Sequence, residues 1–331
     1  MADRAQLLDD GLIVADYLNT LLSNKIKSKT WIILMQWVQQ GSFMYKKLLT
    51  LIILLISTFA QGNETVWDLT FDNKYNLPIV IINLEGEKIA LTLDTGTKEA
   101  LHLPINLIDK IPNKSENLQK IRSIDLSGNV SEVRSFIINN LKLNSFIFKR
   151  VGVVEYNSWG LRFSSDKSNN KENENIENPV IGLGLFDGYV LTINYPESKI
   201  IVSDETDISA DLDKKWIPIP FHLNDEGLAI EMSDGIKDYK MILDSGASMS
   251  VIKEQSLSFK TIKINDDESD YKFVSLKVNN VANDNIKAVI LDSLPAEFQS
   301  DGLIGFDFLS KNIVKIDFKN KRLWIQTVVK K

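Results

Sequence analysis

From Val66 onward the chain is a succession of short apolar runs broken by Gly, Asn, Asp and Pro, with little of the 3.6-residue periodicity that an amphipathic helix imposes. The pattern predicts an all-β body. Two pairs of runs are alike: 77–84 and 88–93 flank Glu85-Gly86-Glu87, and 228–232 and 239–243 flank Ser233-Asp234-Gly235. Each pair reads as a β-hairpin, because a glycine in the turn supplies the positive φ that tight hairpins need. Each second arm then runs into an aspartate, Asp94 or Asp244. A carboxylate at the end of a buried strand is costly to desolvate unless it is hydrogen-bonded or shares a proton, so two matched ones point to a pair.

The sequence around Asp94, Leu91-Thr92-Leu93-Asp94-Thr95-Gly96-Thr97, returns 150 residues later as Met241-Ile242-Leu243-Asp244-Ser245-Gly246-Ala247. Downstream there is a second repeat. Val180-Ile181-Gly182 and the residues that follow it, to Val202, lie without a gap on Leu303-Ile304-Gly305 and its continuation to Ile325, so that Ile193-Asn194-Tyr195 falls on Ile316-Asp317-Phe318. The chain is therefore a duplicated unit. In both halves the order is hairpin, Asp-Thr/Ser-Gly, a variable middle, apolar-apolar-Gly, closing hairpin. A length of 331 residues suits two compact units. The expected division is 63–210 as an N-terminal lobe with Asp94 and 211–331 as a C-terminal lobe with Asp244.

Residues 44–62 depart from the β pattern. Lys46 and Lys47 precede an apolar run at 48–59, and the small residues Ala60 and Gly62 follow it. This is the three-part signature of a secretory signal peptide, and its apolar run is short for a membrane span. The expectation is export, to a periplasm or the medium. The upstream extension 1–43 admits two readings: translation starts at Met44, or 44–60 is an uncleaved anchor with a cytoplasmic tail. The lysines place the rest of the chain outside under either.

Composition narrows the chemistry. With 44% hydrophobic and 25% charged residues the chain can bury a sizeable core. Its net charge of −6 offers no basic stripe for nucleic acid. The absence of cysteine removes disulfides, thiol nucleophiles, cysteine-held zinc and lipoprotein acylation. His102 and His222, the two histidines, are too few for a metal cage and leave a Ser-His-Asp triad almost no material; each is read as structural. No metal and no cofactor is expected, and the chemistry must run on carboxylates.

Two Asp-Thr/Ser-Gly triplets, each fed by an apolar strand and each answered by its own apolar-apolar-Gly segment, resemble the pepsin and retroviral-protease superfamily of aspartic proteases over about 70–325. The resemblance implies an all-β, bilobal fold with one aspartate loop per lobe, and an endopeptidase in which Asp94 and Asp244 form the catalytic dyad. Two carboxyls a few ångströms apart do not both ionise readily, so one keeps a proton; together they can activate a water against the scissile carbonyl. Thr95 and Ser245 would then cross-brace the loops, Gly96 and Gly246 would admit backbone N–H groups to the carboxyls, and Gly182 and Gly305 would let their segments pass close beneath. The partner implied is a peptide or protein substrate. Two lobes on one chain make a monomer sufficient. The rival reading is a non-catalytic peptide-binding protein that keeps the cleft and holds an extended segment in it.

The halves are unequal. Thr97 can hydrogen-bond its carboxylate and Ala247 cannot, which suggests a dyad less acidic than pepsin's and a weakly acidic to neutral optimum. Asp-to-Gly spacing is 88 residues in the first half and 61 in the second. Most of the excess is the polar run 164–178, read as a surface loop. A covering flap is expected at 121–136, turning at Ser127-Gly128-Asn129; the hairpin at 262–274, around Asn265-Asp266-Asp267, is ranked below it. Asp125, Asp187, Asp301 and Asp307 are read as surface charges, Trp216 and Trp324 as core or lobe-interface filler, and 319–322 as a turn.

Overall fold

In the computed structural model the described residues are 63–124, 130–156, 178–204, 215–265, 271–278, 281, 285–292, 294 and 298–328. They belong to one compact unit, Gly62–Lys331. The 1–43 extension, the 44–62 signal segment, Asp125, the flap tip Ser127-Gly128-Asn129 and nearly all of 164–178 lie outside the described residues. Among the described residues no helix is long and apolar enough to cross a membrane.

Strands dominate because apolar and polar positions alternate with the two-residue period of a pleated ribbon. In Glu64–Phe71 the side chains of Thr65, Trp67 and Leu69 face inward while their neighbours face out, and Pro78–Leu84 alternates likewise. Pro78–Leu84 and Glu87–Asp94 pair antiparallel around a tight turn in which Glu85 and Gly86 both have positive φ, 50° and 86°. That is the turn whose twist suits a two-residue hairpin. Its counterpart joins Gly227–Ser233 to Asp238–Leu243, with Gly235 at φ 85°. Among the described residues the α-helices are two single turns of four residues, Ile105–Ile108 and Phe306–Leu309.

Among the described residues, six neighbouring strands of a 13-stranded sheet join the two halves, in the order Ile217–Pro218, Arg322–Thr327, Asn312–Asp317, Val190–Asn194, Lys199–Ser203, Glu64–Phe71. At their centre Val190–Asn194 runs antiparallel to Asn312–Asp317, and the register is self-complementary: Val190 faces Asp317, Asn194 faces Ile313, and Thr192 faces Lys315. In the repeat Thr192 and Lys315 are the same position, so a local two-fold axis passes between them. Leu191, Ile193, Val314 and Ile316 are fully enclosed there, and Trp324, paired with Lys315, is buried too. Prolines break the symmetry at one edge. Glu64–Phe71 is continuous and pairs with Lys199–Ser203 and then with Pro78–Leu84. In the second half Pro218 and Pro220 divide the same work between Ile217–Pro218 and Phe221–Asn224, since proline supplies no N–H to a ladder.

Each aspartate strand is flanked by an identical crossing. Val180–Gly182 lies parallel to Glu87–Asp94, with Gly182 opposite Asp94, and antiparallel to Leu101–Leu103. Gly302–Ile304 lies parallel to Asp238–Leu243 and antiparallel to Val251–Lys253. The apolar-apolar-Gly strand thus slots between the strand that enters each aspartate loop and the strand that leaves it. The candidate flap forms a separate two-stranded ribbon, Ile121–Ile124 against Val130–Val133. In the second half Ile264–Asn265 pairs with the start of Lys272–Val278. Residues 318–321 form the turn before Arg322–Thr327, and Trp216 is half-buried under the Lys315 ammonium.

Leu191→Ala empties a fully buried site at the centre of the joining sheet. It is expected to lower stability by about 2–5 kcal/mol, read as a fall in the urea midpoint with little change in slope.

Candidate active site

The turn that follows each aspartate strand is held by its own backbone. Thr97 N–H donates to the Asp94 carbonyl and Ala247 N–H to the Asp244 carbonyl, both at 3.2 Å. This curls Gly96 and Gly246 back over the carboxyls. Gly96 N–H donates to Asp94 Oδ1 at 2.9 Å and Gly246 N–H to Asp244 Oδ1 at 2.8 Å. Asp94 receives a further bond, from Thr97 Oγ1 to Oδ2 at 2.8 Å. Ala247 has no side-chain donor to match it.

Each glycine also makes room for the other half. A Cβ on Gly96 would stand 2.9 Å from Asp244 Cγ, and one on Gly246 would stand 3.0 Å from Asp94 Cγ. The two carboxyls therefore lie against one another's loops, with 5% and 8% of Asp94 and Asp244 exposed. Burial first, and then the charge and hydrogen bond of Asp94, push the Asp244 carboxyl well above the usual carboxylate range. The pair holds a proton that isolated aspartates would have released.

Thr95 and Ser245 tie the loops together. Thr95 Oγ1 donates to the Leu243 carbonyl at 2.7 Å and accepts from Ser245 N–H at 2.9 Å; Ser245 Oγ donates to the Leu93 carbonyl at 2.8 Å and accepts from Thr95 N–H at 2.9 Å. Four bonds thus cross between halves at the two strand ends that carry the carboxyls. Beneath, Leu183 N–H reaches the Thr97 carbonyl at 2.8 Å and Phe306 N–H the Ala247 carbonyl at 2.9 Å. A Cβ on Gly182 would lie 2.1 Å from the Glu99 carbonyl oxygen, and one on Gly305 2.6 Å from that of Ala247, so neither position accepts a side chain without moving backbone. The structure thus brings Asp94, Thr95, Gly96, Thr97, Gly182, Asp244, Ser245, Gly246, Ala247 and Gly305 into one cluster; Ser127, Gly128 and Asn129 are outside the described residues.

One of the aspartates read as surface charges is not. Asp307 is largely buried: its Oδ1 accepts from Ser250 N–H at 2.8 Å and Ser250 Oγ at 2.7 Å, its Oδ2 is enclosed without a partner, and burial raises its carboxyl above the usual range. Ser250 Oγ in turn accepts from Gly305 N–H at 3.0 Å. In the first half Gly182 N–H bonds the Ala100 carbonyl instead. The repeat held the signal for this network: Ser250 replaces Ala100 and Asp307 replaces Gly184 at matching positions, two polar exchanges that meet in space. Asp301 is half-buried, its Oδ2 accepting from Lys240 N–H at 2.8 Å. Asp187 is exposed. His102 is half-buried with Nε2 3.6 Å from Glu99 Oε2, and His222 is exposed; neither enters the cluster.

No family model matches the sequence, and no curated protein matches it. Solved structures do. The chain is similar to basic 7S globulin from soybean, at 10% identity and a TM-score of 0.50, over 81% of this chain and 96% of that one. The fold is the bilobal, pepsin-like one. An aspartic proteinase from Irpex lacteus also aligns, at 12% identity and a TM-score of 0.45, over 80% of this chain and 98% of that one. At such identities the likeness concerns the pepsin-like fold alone.

Two outcomes are expected from this geometry. Thr95→Val and Ser245→Ala each strand a buried N–H and carbonyl, costing about 1–3 kcal/mol. Because each hydroxyl bonds the backbone N–H of the residue that carries the other, the two sites are coupled and the double variant should lose less than the sum, as a double-mutant cycle in urea would show. The second concerns pH. A carboxyl whose folded pKa is raised contributes stability that is complete below its unfolded value, about 3.9, and that is lost as pH rises through the folded one. Asp244→Asn removes the ionisable group, so its stability relative to the wild type should grow as pH is raised from about 4 toward neutrality, measured as urea midpoints across a pH series.

Proposed function

We propose that the protein is an aspartic endopeptidase, with Asp94 and Asp244 as the catalytic dyad. The observation that carries the reading is the reciprocal packing of two buried carboxyls against each other's glycine turns, with both strand ends locked by Thr95 and Ser245. A structural role would not require two carboxyls to share one enclosed place; acid–base chemistry does.

In this reading the resting dyad carries one negative charge and one proton. The charge is assigned to Asp94, which has donors from both Gly96 N–H and Thr97 Oγ1, and the proton to Asp244. A water held between the carboxyls gives a proton to Asp94 as its oxygen attacks the scissile carbonyl carbon, while the proton on Asp244 goes to the carbonyl oxygen. The tetrahedral diol collapses when a hydroxyl proton returns to a carboxylate and the other carboxyl protonates the departing amine. Fixed positions for both carboxyls spare the reaction any reorganisation of these groups. The Ile121–Ile124 and Val130–Val133 ribbon is the proposed cover over the substrate, and the protein is proposed to act as a monomer after export.

Protein 63–331 incubated with a mixed peptide library is expected to cut it, with a pH optimum above about 3 because Asp244 has no counterpart of the Thr97 hydroxyl. Asp94→Asn and Asp244→Asn should each lower kcat/KM by a factor on the order of 10³ or more, as expected when one of two coupled proton-transfer groups is removed. Cleavage that persists in either variant would defeat the dyad. No cleavage by the wild type from pH 3 to 8 would favour the peptide-binding reading.

A further inference from the structure

Tyr195 lies directly after the Val190–Asn194 strand, at the start of the short 3-10 turn Tyr195–Glu197. Its ring is buried among aromatics, edge-on to Phe71 at 4.9 Å and tilted to Phe306 at 6.0 Å, while Phe71 and Phe306 meet at 5.5 Å. The hydroxyl leaves this apolar nest in one direction, donating to the Ser245 carbonyl at 3.3 Å. That distance is long for an O–H···O bond, but burial gives the phenol no bulk water as an alternative.

What makes the contact matter is the peptide group it touches. The Ser245 carbonyl and the Gly246 N–H are opposite ends of one planar, conjugated unit. That same N–H is the donor to Asp244 Oδ1 at 2.8 Å. A donor on the carbonyl end polarises the unit and strengthens its N–H end, and it also fixes the plane's rotation. In the gap-free repeat the counterpart of Tyr195 is Phe318, whose ring has no donor to offer.

We propose that Tyr195 is a positioning residue for the dyad, acting from beneath through the Ser245–Gly246 peptide to aim and strengthen the Gly246 N–H on Asp244. The support goes to one carboxyl of the pair. The inference rests on the peptidase reading for its catalytic consequence, but not for its physical one. The titratable groups facing the phenol are Asp244 and Asp94, and Asp94 is the one facing Asp244. Weakening the Gly246 donor removes support for charged Asp244, so the dyad keeps its proton to higher pH.

Tyr195→Phe deletes one oxygen and keeps the ring. Expected are a fall in kcat of about twofold to tenfold, the range of one net hydrogen bond, with KM unchanged, and an upward move of the basic limb of the pH–rate profile. Phe71→Leu, which loosens the aromatic nest without touching the hydroxyl, should lower stability and leave that limb in place. A second readout needs no activity: the pH at which the stability difference between wild type and Asp244→Asn stops growing, which is set by the folded state, should move upward when Tyr195→Phe is placed in both backgrounds. An unmoved or lowered limb and levelling-off pH would overturn the proposal, as would a Phe71→Leu shift as large as that of Tyr195→Phe. If the wild type cuts no peptide, the peptidase reading falls, and the stability comparison still decides the role of Tyr195.

Discussion

Everything near the centre of this molecule answers one electrostatic constraint: two carboxyls are held in a place that water does not freely enter. Charge there is expensive and two like charges more so. The fold meets the constraint with backbone, not with cations. Gly96 and Gly246 donate to the carboxyls, and the hydroxyls of Thr95 and Ser245 close the gap between strand ends that would otherwise separate under repulsion. The bonds that cross between the halves go to main-chain atoms of Leu93, Leu243, Thr95 and Ser245. They therefore set the spacing of the carboxyls at the level of the chain itself, where rotamer freedom cannot relax it.

The duplication is visible in the carboxyl environment as a set of small departures. Thr97 against Ala247, Ala100 and Gly184 against Ser250 and Asp307, and Phe318 against Tyr195 all fall within a few residues of the dyad in sequence or in space. Thr97 adds a donor to Asp94, whereas Tyr195 reaches the Asp244 loop through a peptide. A symmetric site could not say which carboxyl holds the proton. Thr97, whose hydroxyl has no match at Ala247, is the exchange that distinguishes the two carboxyls directly.

Much of this was legible in the chain because the relevant signals are local. Gly86 and Gly235 announced their hairpins through a conformational need that few other residues meet, and the structure gives both a positive φ. The apolar-apolar-Gly segments announced their close passage for a steric reason, and the missing Cβ of Gly182 and Gly305 is what lets it occur. Asp307 was misread as a surface charge because a polar residue's partner is decided by distant chain: Ser250 lies 57 residues from it. Tyr195 was invisible as a contributor for the same reason. Its hydroxyl acts 50 residues away, and sequence shows only another aromatic at the end of a strand.

The self-complementary pairing of Val190–Asn194 with Asn312–Asp317 has a temporal side. The strand that leads into Tyr195 is not enclosed until the 312–317 segment has arrived and paired with it, 120 or so positions further along the chain. Contacts of such long range form slowly because loop-closure entropy must be overcome first. As the chain is synthesised, both aspartate loops are complete before the platform beneath them is. The platform's completion, rather than the appearance of either aspartate, marks the moment at which the chain acquires its assembled centre.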